Sequence, residues 1–203
     1  MKDINATVIV DFKNSEEEII SSLHKDARWG IGKAKREGLD VEELKEEDFD
    51  KFYEIYKSTV IDGGTNPSSE EEIKKRAEKI FVCKKHGEII AVAGIWFVDL
   101  YNKEIPRLYL SASLKEYQKY QPNNLLYWNC ILWAKEKGYP EFDLGGWQIN
   151  AQGHLVGINK FKEKWGKVTY YEKDYSFYKA LGRKLIRNVT FFNWLNKMIK
   201  RRK

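Results

Sequence analysis

The stretch Glu141–Gly166, EFDLGGWQINAQGHLVGINKFKEKWG, joins a short strand, a glycine pair and a basic helix, and its reading decides the fold. Phe142 and Leu144 alternate with polar neighbours, which predicts a strand that Gly145 and Gly146 bring to an end. Past a polar loop, Val156, Lys160 and Lys164 share one helical face, and Ile158, Phe161 and Trp165 share another. Gly166 stands where a left-handed C-terminal residue is expected. Lys162 is thereby held beside a buried aromatic ring.

Working back from there, Pro122 near the first turn, Leu125, Trp128 and Leu132 along one side and Gly138 as a stop predict a helix over residues 122–137. Before it come three strand candidates, Ile80–Lys85, Ile89–Phe97 and Arg107–Ser113, the first two joined by a His86-Gly87 hairpin. Phe49, Phe52, Tyr53 and Tyr56 recur at helical spacing and read as core. Ser15 with Glu18, and Ser69 with Glu72, are capping-box pairs that open two further helices. The first follows a β-branched strand at Ala6–Phe12 and carries Ile19, Leu23 and Ala27 on one face, with a kink expected near Gly30.

This order of elements predicts an α/β (α+β) domain over residues 1–203, a mixed, mostly antiparallel twisted sheet with helices on both faces. A length of 203 residues and 42% hydrophobic content suit one globular core. Over residues 175–203 the apolar positions recur at helical spacing amid basic residues, which predicts an amphipathic C-terminal helix. The net charge of +6 is modest, but Gly182–Lys203 holds eight basic and no acidic residues, so an anionic partner, RNA or a membrane surface, is expected there. Cys83 and Cys130, and the three histidines, lack metal-ligand spacing, so no metal site and no disulfide framework is indicated. Without a signal-peptide layout or a spanning apolar run, the expected location is the cytoplasm, with a peripheral position on the inner membrane face as the alternative.

The pattern D-x-G-G, a loop, then G-x-x-x-F-K-x-x-[FW]-G resembles the closing segment of the FemABX aminoacyltransferases, relatives of the GNAT N-acyltransferases. A second, weaker likeness is the run Arg28–Arg36 leading to Gly38-Leu39-Asp40-Val41. The resemblance implies a GNAT-like fold and places Phe161-Lys162 where those enzymes hold a lysine near the acyl ester and its phosphate. Lys162 is then the candidate donor to the carbonyl oxygen as it becomes an oxyanion. Asp143 is the candidate to orient the amine or take its proton, unless it caps the glycine turn. Lys33, Arg36 and Arg28 are candidates to neutralise phosphates. Gly145, Gly146, Trp147, Asn123 and Asn124 complete the expected substrate contacts.

Two features differ from the family pattern. FemABX enzymes usually carry two GNAT-like domains with the acceptor bound between them, and this length accommodates one, which counts against a cell-wall precursor as acceptor and leaves the oligomeric state, a homodimer among the options, open. The glycine-rich pyrophosphate loop of GNAT enzymes is replaced by Tyr117–Asn124, which has no glycine, and that disfavours acyl-CoA. The leading expectation is an N-acyltransferase without a tightly bound cofactor. It takes an aminoacyl group from aminoacyl-tRNA to an amine-bearing peptide, cell-envelope precursor or small molecule. An acyl-CoA-dependent N-acetyltransferase and a non-catalytic module that binds RNA or a membrane surface are the alternatives.

Overall fold

Apolar residues in continuous runs build the centre of a sheet, and alternating ones its margins. β3 (Lys79–Lys85), β4 (Glu88–Leu100) and β5 (Lys103–Ser113) form the antiparallel meander expected from the sequence, with His86 and Gly87 at φ 51° and 83° in the first turn. Added to them are β1 (Asp3–Asp11), β2 (Leu39–Glu43), β6 (Glu141–Trp147) and β7 (Lys167–Lys173). The sheet order is β2-β3-β4-β5-β6-β1-β7. The computed structural model describes residues 3–13, 15–100 and 103–173, and the compact unit discussed below is Asn5–Tyr171. The helix expected over 175–203 lies outside the described residues, as does its basic terminus.

Helices cover both faces. On one, α1 (Glu16–Ser22), α2 (Lys25–Arg36) and α5 (Pro122–Glu136) pack on Val8, Val10, Ala91, Ala93 and Phe142. On the other, α3 (Phe49–Asp62) and α4 (Glu70–Arg76) lay Phe52, Ile55 and Ile73 on Val82, Val92 and Leu110. Each fully buried side chain of this size contributes on the order of 2 kcal/mol. α6 (His154–Lys162) follows β6 and leads back to β7. Among the described residues no helix is long and apolar enough to cross a membrane.

Both serines cap the helices that the sequence indicates: Ser15 and Glu18 form the complete reciprocal box, while at Ser69 the Oγ accepts from the Glu72 N–H and the Glu72 carboxylate accepts from Arg76 instead. Three glycine readings are corrected. The chain does not kink at Gly30, which lies inside α2; the break falls at Leu23 and His24. Gly30 is a contact residue instead, since a Cβ there would meet the Asn124 side chain at 2.5 Å. β6 does not stop at Gly145 but runs on to Trp147, and its paired register with β1 includes Gly146 opposite Thr7.

Gly166 is not in the left-handed region; its role is to let the chain pass β1, because a Cβ would lie 2.3 Å from the Ile9 carbonyl oxygen. Backbone cannot yield as a side-chain tip can. Gly166→Ala should therefore cost about 2 to 3 kcal/mol through overpacking. Denaturant titration checks it, and an unchanged midpoint would show that β1 and this turn separate freely.

Candidate active site

β5 and β6 run parallel and are bridged at Arg107 and Asp143, the one paired position between them among the described residues. Asp143 is fully buried and saturated. Its Oδ1 accepts from the Thr7 hydroxyl on β1 and from the Gly145 N–H at 2.7 Å. Its Oδ2 accepts from Arg107 Nε at 2.6 Å and Nη2 at 2.5 Å. A carboxylate so occupied holds backbone in place; it has no face left for an amine. Gly145 takes φ +79°, and a Cβ there would sit 2.9 Å from the Leu108 carbonyl and 3.5 Å from Lys162 Nζ. Glycine is thus required by the left-handed φ at this point of β6 and by the Leu108 carbonyl, while Lys162 Nζ would be at ordinary contact distance.

Lys162 reaches this part of β6 from the end of α6, and Nζ donates to the Gly146 carbonyl at 3.0 Å. Several contacts fix the helix. Asn159, 5% exposed, donates to the Gln148 carbonyl at 2.8 Å and accepts from the Gln148 N–H at 2.9 Å, pinning α6 to the loop it follows. Trp165 is buried against Tyr127, and Phe161 meets Tyr127 edge-on with ring centroids 5.1 Å apart. The Trp147 indole donates to Glu163 at 2.7 Å.

Past the Arg107–Asp143 bridge a cavity of about 640 Å³ opens beside β5 and β6. Leu108, Leu110 and Leu144 line it from the sheet, Tyr127 and Asn123 from α5, and Phe161 and Lys162 from α6. Burial lowers the Lys162 pKa to about 8; the Asp143 charge opposes that shift and the Arg107 charge adds to it. The same desolvation pushes the Tyr127 phenol up to about 12, so it stays neutral and is available as a donor. A smaller cavity, about 290 Å³, lies at the N-terminus of α5 against Gln118, Gln121, Asn123 and Phe161. There Gln121 takes φ +63°, supplying without glycine a left-handed residue ahead of the helix, and no side chain caps α5.

The structure brings together Lys162, Phe161, Gly145, Gly146 and Asn123, with Asp143 behind them. Asn124, largely buried against Gly30 of α2, also lines the smaller cavity. Arg28 donates to the Ser21 and Leu23 carbonyls and so closes the end of α1. Lys33 lies over the Trp29 ring at 5.1 Å, and with Arg36 it sits on α2 outside both cavities. Trp147 is half-buried and held by Glu163. Sequence reasoning missed Arg107, Thr7 and Tyr127. A hint was present for the first, an arginine set between buried Pro106 and Leu108 in a strand.

The mostly antiparallel seven-stranded sheet with helices on both faces has the fold of GNAT-like acyltransferases, as the superpositions below show. Residues 1–61 and 64–173 match the FemAB family, and the chain belongs to that family. Solved structures agree on the fold. FemX superposes with a TM-score of 0.68 at 16% identity, over 83% of this chain and 60% of its own. L-PGS from Bacillus licheniformis gives 0.55 at 19%, over 87% and 62%. A GCN5-related glucosamine N-acetyltransferase region of a fungal multi-domain β-N-acetylglucosaminidase gives 0.51 at 20%, over 63% and 17%. The chain thus spans about 60% of the length of FemX and of L-PGS. No curated protein sequence matches it significantly.

Phe161 is half-buried, against the sequence reading of a core ring, because its face toward α5 packs on Tyr127 while another borders the cavities. Phe161→Ala should cost about 2 kcal/mol, short of the roughly 3 to 5 typical of a buried ring. Urea unfolding measures it; a loss below about 0.5 kcal/mol would mean that the ring is unpacked.

Proposed function

We propose that this chain is an N-acyltransferase that moves an aminoacyl group from the ester of an aminoacyl-tRNA to a primary amine on a peptide or cell-envelope precursor. The observation that carries the reading is Lys162, a partly desolvated ammonium on the wall of a cavity lined by both apolar and polar side chains, with one N–H spent on Gly146. Two N–H groups remain. As the amine attacks the ester carbonyl, charge gathers on the carbonyl oxygen, and a fixed ammonium in a poorly hydrated site stabilises it. The C–N bond forms and the ester C–O bond breaks; the attacking nitrogen gives up one proton, and the leaving oxygen takes one up to depart as a hydroxyl.

Orientation does the rest: Phe161 and Tyr127 give the acyl group a flat apolar wall, which favours attack from the open side. Lys33, half-buried, and Arg36, exposed, both on α2, are proposed to meet phosphates of the donor, and Asn123 to meet its acyl end. Arg28 contributes through the α1–α2 junction. A second reading, an acyl-CoA donor, is favoured by one feature, the uncapped α5 N-terminus beside its own cavity, an arrangement suited to a pyrophosphate. Thermal protection separates the two: charged tRNA should raise the melting temperature, and protection by acyl-CoA alone would reverse the assignment.

Lys162→Met should lower turnover by about two to three orders of magnitude with the fold intact. The wild-type pH profile has a stated sign. The group acts while protonated, so activity is held below the Lys162 pKa of about 8 and falls as pH rises through it. Wild-type rates in the methionine variant, or no alkaline limb, would remove Lys162 from the mechanism.

A further inference from the structure

We propose that Arg107, Asp143 and Thr7 form a positioning latch for Lys162, one that both aims the Gly146 carbonyl at Nζ and sets the charge of the ammonium. Its bearing on turnover rests on the role proposed for Lys162 above. The geometry is that of a single carboxylate joining three strands. Thr7 of β1, Gly145 of β6 and Arg107 of β5 all donate to Asp143, at the position where β5 and β6 bridge before the cavity opens. The Gly145 N–H bond holds the left-handed φ +79° within β6, where the register with β1 shifts, and that irregularity precedes the Gly146 carbonyl, which accepts from Lys162 at 3.0 Å. Losing the carboxylate's acceptor would free the strand irregularity that seats the lysine.

The latch also carries charge. Asp143 supplies a negative charge and Arg107 a positive one, and they act on Lys162 in opposite senses, against a background of burial that disfavours the ammonium. The other ionisable groups lining the cavity are Tyr109 on β5, Tyr127 on α5 and His154 at the start of α6; the Tyr127 phenol is neutral. Neither Arg107 nor Asp143 lines the cavity, so both act through Lys162 and not on substrate.

The test is an NMR titration of the Lys162 side chain in full-length protein labelled at lysine Cε, assigned with Lys162→Met. It needs no substrate, so it stands whether or not the chain transfers acyl groups. Asp143→Asn should lower the Lys162 pKa and Arg107→Gln should raise it, each by about 1 unit. Arg107→Lys keeps the charge but loses the fork, and should leave the pKa near wild type. Should Asp143→Asn fail to fold, the two arginine variants carry the test, since glutamine still donates to Asp143. Shifts of the same sign in Asp143→Asn and Arg107→Gln, or no shift in Arg107→Gln, would overturn the proposal. In turnover, where an alkaline limb is present, it should move with the measured pKa; a purely structural role would lower the rate and leave the limb in place.

Discussion

The structure depends on one buried ion pair. Asp143 has no exposed surface and Arg107 little, so each charge is tolerable only because the other is there, with Thr7 and the Gly145 N–H taking up the remaining acceptor capacity. Such a pair adds little net stability over well-packed apolar residues, whereas removing one member leaves a costly bare charge. Its value lies in placement. It ties β5 to β6 where parallel pairing is found and leaves the strands beyond it free to border a cavity.

Lys162 inherits its position from that arrangement and from close packing around α6. Gly166 lets the chain after α6 pass against the Ile9 carbonyl, Trp165 locks beneath Tyr127, and Asn159 bonds to the backbone of Gln148 on both sides. A long flexible side chain usually moves freely. Here its tip is held at the Gly146 carbonyl, which fixes where the ammonium sits. Tyr127 of α5 and Phe161, its neighbour on α6, line the same cavity.

Much of this was legible in the sequence because periodicity reports burial directly. The runs in β3 to β5, the staggered aromatics of α3 and the two serine caps each followed from local chemistry. Glycines were the weak point. At Gly30, Gly145 and Gly166 a single letter stands for either backbone freedom or lack of bulk, and only the neighbours decide: Asn124, Leu108 and Ile9 come from distant parts of the chain. Arg107 and Thr7 escaped for the same reason, since each is functional only through a partner brought near by sheet pairing. Lys162 and Phe161 were singled out through the family pattern in which they stand, and the structure places both at the lining of one cavity.

The central claim is that Lys162 meets the oxygen on which charge develops. The most direct measurement is a crystal structure of the protein with a phosphonate analogue of the tetrahedral intermediate, built on an aminoacylated 3′-terminal nucleoside. The account predicts an analogue oxygen about 2.7 to 3.1 Å from Lys162 Nζ, with the acyl side against Phe161 and Tyr127. An analogue seated in the cavity with its oxygens turned away from Lys162, and the ammonium still on Gly146 alone, would contradict it.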